Sequence, residues 1–89
     1  MEANKKISGF ANNGMQQFEQ VIDGSSTKKH YCFTAIDGDA VITKLTNIDN
    51  SDALPYLGEG GIAYQGVNYF GRFKEIEVTG KVVIQLDQQ

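Results

Sequence analysis

His30 and Cys32 stand two residues apart, beside a run rich in aromatic and β-forming residues, Tyr31-Cys32-Phe33-Thr34-Ala35-Ile36. On a strand that spacing puts both side chains on one face. A thiol beside an imidazole supplies a nucleophile and its base, but the chemistry also needs a third group to orient the base. The neighbouring residues offer none. The chain has one Cys and one His, so a structural zinc site would require copies to share ligands across a symmetry axis. The reading is a small apolar residue at 32 and a strand-edge histidine at 30, with no catalytic residue, no cofactor and no metal.

Glu75 and Glu77 also share a strand face. Paired carboxylates act as acid and base when their surroundings drive their pKa values apart. Here Arg72, Lys74 and Lys81 lie close in sequence, so cross-strand ion pairs on a wet face are expected instead. Asn47-Ile48-Asp49-Asn50-Ser51-Asp52 starts like a calcium loop. It lacks the glycine and the closing glutamate of that motif, which leaves turn residues. Gly58-Glu59-Gly60-Gly61 and the Gly66/Gly71 spacing lack the Gly-Lys-Ser/Thr ending of a phosphate loop. These glycines are expected at bulges, sharp bends or close chain approaches.

The aromatics offer more. Tyr64, Tyr69, Phe70 and Phe73 fall within ten residues, and Leu54-Pro55-Tyr56-Leu57 forms an apolar patch in the longest loop, residues 47–61. Together they exceed what one face of a thin sheet needs. They fill a core with Phe33, or some form an interface, where aromatic residues are enriched. Leu54, Tyr56, Leu57, Tyr64, Tyr69 and Phe70 are the candidate interface residues.

The elements that must carry these residues are short strands. Tyr31–Ile36 and Ala40–Thr46 flank Asp37-Gly38-Asp39, a hairpin signature. Ile62–Gln65 and Val67–Phe70 are strand-like runs. Arg72–Val78 and Lys81–Leu86 alternate around Thr79-Gly80, which reads as a second hairpin turn. Residues 15–22 are ambiguous: Met15, Phe18 and Ile22 form a helical stripe, yet Phe18 with Val21 and Ile22 also suits a short or irregular strand. The expected fold is mainly β, a small antiparallel sandwich or barrel with hairpins. Residues 1–29 would be a flexible polar arm and irregular segment, and residues 30–89 the β-domain of a single-domain chain.

Composition sets the outer bounds. The chain has 89 residues, ten of them Gly, no Trp and a net charge of −3. A domain of this size buries only about 60–65% of its surface. Small domains lean on disulfides, metal or self-association, and one cysteine leaves self-association. The acidic balance argues against nucleic acid, which is bound largely through Lys and Arg. No run reaches the ~20 apolar residues of a membrane helix. Met1–Lys6 does not open a signal-peptide pattern, so synthesis in a cytoplasm is expected.

Two blocks carry a family resemblance: Tyr31–Leu45, an aromatic-Ala-Ile strand, an acidic turn and a Val-Ile-x-x-Leu strand, and Asn68–Ile84, a Gly-x-Phe-x-x-Ile strand, a Thr-Gly turn and a final apolar strand. The chain resembles small virion accessory proteins of tailed bacteriophages, such as capsid decoration, head-fibre or tail components. The resemblance implies a non-enzymatic structural protein of the virion. It would be a homotrimer bound to the major capsid protein or other virion proteins, without nucleic-acid or membrane contacts. The alternative from the residues alone is a small β-barrel or sandwich that binds a ligand or peptide at Tyr56, Tyr64, Tyr69 and Phe70.

Overall fold

A computed structural model describes residues 17–87. The polar arm expected over residues 1–14, and Met15, lie outside the described residues. The strands are β1 (Phe18–Ile22), β2 (Ser25–Ser26), β3 (His30–Ala35), β4 (Ala40–Asn47), β5 (Ile62–Ala63), β6 (Asn68–Thr79) and β7 (Lys81–Leu86). Short 3-10 turns at Leu54–Leu57 and Glu59–Gly61 cross between β4 and β5. The mainly β antiparallel fold is as expected.

All strands join one antiparallel sheet in the order β1-β7-β3-β6-β4-β5, with β2 also paired to β6. The pairings return on themselves. β3 pairs β6, β6 pairs β2, β2 follows β1 across a corner at Asp23-Gly24, β1 pairs β7, and β7 pairs β3. The opposite side of that corner is Gly80, whose φ of 113° suits glycine alone. Its carbonyl accepts from the Asp23 N–H, and its own N–H donates to Asp23 Oδ1 at 2.8 Å.

This arrangement corrects the two expected hairpins. β3 and β4 are separated by β6, so Asp37-Gly38-Asp39 is a crossover. β6 and β7 do not pair, so Thr79-Gly80 is a corner between ladders. Turn chemistry marks a change of direction, but the partner is chosen by burial of the whole strand. A tight hairpin does form in the segment read as loop. The Asn47 N–H donates to Ser51 O, the Asn50 N–H to Asn47 O and the Ala53 N–H to Leu45 O, with Asn50 at φ 74°. That is a three-residue loop closed by a left-handed residue. Residues 18–22 are a strand, not helical turns, because alternation buries Val21 while Phe18, Gln20 and Ile22 face out.

β6 is the hub. Its ladders run to β3 over residues 68–73, to β2 over 76–77 and to β4 over 73–79. It manages this by bending. Thr46 pairs Glu75 while Asn47 pairs Phe73, which leaves Lys74 as an extra residue; Thr43 is the extra residue on β4. Such bulges kink a strand and sharpen its twist. They also reset alternation, so Phe73, Ile76 and Val78 are all buried. With Val21, Phe33, Ala35, Ala40, Ile42, Leu45, Ala53, Ala63, Val82 and Ile84 they make one core.

Gly71 and Phe73 share a face of β6, and the Phe73 ring folds back over Gly71. A Cβ at 71 would lie 2.5 Å from the Phe73 Cζ. The ring sits beside Phe33, with centroids 5.5 Å apart, and beside His30 at 5.3 Å. Gly71→Ala should therefore eject the ring and cost about 1–3 kcal/mol, the usual range for overpacking. Denaturant unfolding checks this. The cost should shrink in the Phe73→Leu background, because the two changes act on one contact.

Candidate functional site

The structure divides the six candidate interface residues among three settings. Leu54 and Leu57 are half-buried against the core. Tyr69 is also half-buried, stacked on Phe33 with centroids 5.1 Å apart and planes 15° from parallel. Tyr56 and Tyr64 are exposed, at 57% and 55%. Phe70 is equally exposed but follows Tyr69 directly on β6, so it points to the opposite face of the sheet.

Tyr69 is the pin that groups the tyrosines. Its ring meets Tyr56 edge-on, with centroids 6.4 Å apart, and its hydroxyl accepts from the Tyr64 N–H at 2.9 Å. The stack on Phe33 ties this group to the core. Tyr56 sits on the Leu54–Leu57 turn, where the Leu54 N–H donates to Asp52 Oδ1 and the Tyr56 N–H to Ala53 O. Tyr64 lies just past β5, where Asp39 Oδ1 accepts the Gln65 N–H at 2.8 Å and the Gly66 N–H donates to Ala35 O. Two large amphipathic side chains are thus presented from a fixed base.

A second surface lies on the outer face of β1, β7, β3 and β6. Register places Phe18, Gln85, Cys32 and Phe70 in one row, and Gln20, Val83, Thr34 and Asn68 in the next. A groove of about 470 Å³ runs there, lined by Phe18, Glu19, Gln20, Thr34, Ile36, Val83 and Gln85. Its lining is largely apolar. Phe18 and Ile36 were not among the candidate residues. The signal for Phe18 was the alternation of residues 18–22, which was also compatible with a helical stripe.

His30 and Cys32 are both buried, and no hydrogen bond joins their side chains. His30 Nδ1 lies 2.8 Å from the Lys28 carbonyl, and Nε2 has no hydrogen-bond partner among the described residues. The Cys32 thiol reaches toward Phe33 O at 3.9 Å. Burial pushes that thiol up from its ordinary value, away from the thiolate that attack requires. Glu75 pairs with Lys44 at 3.4 Å, while Arg72 pairs with Asp87 at 3.7 Å and Lys81 with Asp37 at 3.8 Å. The wet face is there with partners other than those expected; Lys74 instead reaches Asn50. The acidic turn residues hold backbone: Asp49 accepts from the Ser51 N–H and hydroxyl, which lowers its carboxyl pKa.

A neutral His30 bonded through Nδ1–H leaves Nε2 as a bare acceptor. Protonation would put an N–H there with no acceptor among the described residues, and a charge in a buried site beside the Phe73 ring. Desolvation accordingly lowers its pKa from 6.5, against smaller opposing effects of the Lys28 carbonyl and Glu19. The unfolded chain then binds the proton first as pH falls. The stability is complete above about 6.5 and is lost as pH drops through the lower folded value. Melting temperature should fall between pH 7 and 5 more steeply in the wild type than in His30→Leu. No family model matches the chain, and no curated protein or solved structure matches it either.

Proposed function

We propose that the protein is a non-enzymatic structural component that docks on a larger protein assembly through Tyr56 and Tyr64. One observation carries the reading: both tyrosines stand more than half exposed around Tyr69, which the Phe33 stack and the Tyr64 N–H hold in place. Rigid aromatic side chains give large contact area at low entropic cost, and Tyr is enriched among residues that dominate binding energy. The resemblance to tailed-phage virion accessories supplies the class of partner, the outer surface of a capsid or tail assembly.

Co-sedimentation with shells of the major capsid protein from the same genome tests this. The wild-type chain should sediment with the shells. The Tyr56→Ala/Tyr64→Ala variant should bind at least about tenfold more weakly and stay folded with only a small drop in melting temperature, since both side chains are more than half exposed and only the edge contact of Tyr56 with Tyr69 is lost. Failure of the wild type to sediment, or equal binding by the variant, would refute the proposal.

A second reading has the groove over Val83 in its favour: a binding module for a small apolar ligand or peptide side chain. Such a ligand would rest on Phe18, Ile36 and Val83 rather than on the tyrosines. A ligand-dependent rise in melting temperature, kept by the tyrosine variant and lost in Ile36→Lys, would favour it.

A further inference from the structure

β1 is the first strand of the sheet, paired on one side with β7. Its ladder is fixed at both ends. The Leu86 N–H donates to Gln17 O, and the Asp23 N–H donates to Gly80 O. Antiparallel ladders alternate between bonded and non-bonded pairs. Residues 17, 19, 21 and 23 therefore turn their N–H and C=O groups toward β7. Those of Phe18, Gln20 and Ile22 point away, and no described strand receives them.

The edge carries few of the usual defences. A sheet edge is commonly blunted by Pro, Lys, a bulge or an unpaired inward charge. β1 has no Pro or Lys, and its register with β7 is unbroken. Its only charge, Glu19, is held by Lys28 at 3.1 Å and by the Ser26 hydroxyl at 3.0 Å. On its outer face stand Phe18, 41% exposed, and Ile22, 54% exposed, with Gln20 between them.

We propose that β1 pairs antiparallel with β1 of a second copy about a two-fold axis through Gln20. That register joins Phe18 to Ile22 of the partner subunit, Gln20 to Gln20 of the partner subunit, and Ile22 to Phe18 of the partner subunit. All three outward N–H/C=O pairs are used, and apolar side chains meet twice. Glu19 faces Val21 of the partner subunit. A shift that centres the axis on Glu19 would set two carboxylates opposite each other, and like charges directly opposed are unfavourable. A shift to Val21 would carry Phe18 past the end of the strand. The paired copies form one continuous sheet, and the two apolar outer faces become one surface. The pairing does not involve Tyr56 or Tyr64.

Light scattering over a dilution series tests the pairing, with Gln20→Pro and Ile22→Lys as probes. The Gln20 N–H is not used by β7, so Pro there removes both central intersubunit bonds while sparing the chain's own ladder. Ile22→Lys sets an ammonium against an apolar partner. The wild type should move from single-chain to twice that mass on concentration. Both variants should stay at single-chain mass, at least tenfold beyond the wild-type midpoint, with wild-type circular dichroism. If Gln20→Pro does not fold, Ile22→Lys alone decides. A wild type that stays single at every concentration, a trimer, or a dimer that survives Ile22→Lys would overturn the proposal. These outcomes are separable from the docking test, because neither substitution alters the tyrosine group.

Discussion

The fold turns on a ring lying where a side chain would otherwise be. Phe73 doubles back over Gly71 and packs among His30, Phe33 and the core aliphatics. A small chain with no Trp needs its few large side chains at the most enclosed point, because a buried aromatic removes more apolar surface from water than any aliphatic. Glycine at 71 is what makes room. Its cost in chain entropy is modest and is offset by a ring packed from several sides. Lys74, the bulged residue immediately beyond, then redirects β6 so that Ile76 and Val78 reach the same interior.

From that centre two outward surfaces follow. Phe33 lies against Phe73 on one side and stacks under Tyr69 on another. Tyr69 thus passes the rigidity of the core to the Tyr56–Tyr64 region. The alternate residues of the same strands face the other way and build the groove over Val83, with Phe18 and Ile36 beside it and Phe70 at the far end of its row. Among the described residues, the outer edge of β1 is one of the places where the sheet can grow, the edge of β5 being at the other end of the order. A chain of this size gains from using such an edge, since its own interior is limited.

Most strand segments were legible because alternation survives in the residues: Ile76 and Val78 are buried on one face of Arg72–Val78, and Val82 and Ile84 on one face of Lys81–Leu86, as read. The pairing was not. Asp37-Gly38 and Thr79-Gly80 have hairpin chemistry, but the strands they join find partners elsewhere, and nothing local encodes that β6 lies between β3 and β4. The aspartate pins were equally hidden. Asp23 binding Gly80 and Asp39 binding Gln65 are agreements between distant turns. For the candidate surface, the concentration of aromatics was visible but its division was not. Tyr69 and Phe70 are neighbours in sequence on opposite faces of a sheet, and which one turns inward depends on the phase that Gly71 and Phe73 impose.

The central claim is that the Phe73 ring rests on Gly71. Proton NMR tests it most directly, because a proton held over an aromatic face is strongly shielded. The account predicts a Gly71 Hα resonance displaced far upfield of its ordinary position and restored toward it in Phe73→Leu. Ordinary Gly71 Hα shifts in the folded wild type, unchanged by Phe73→Leu, would contradict it.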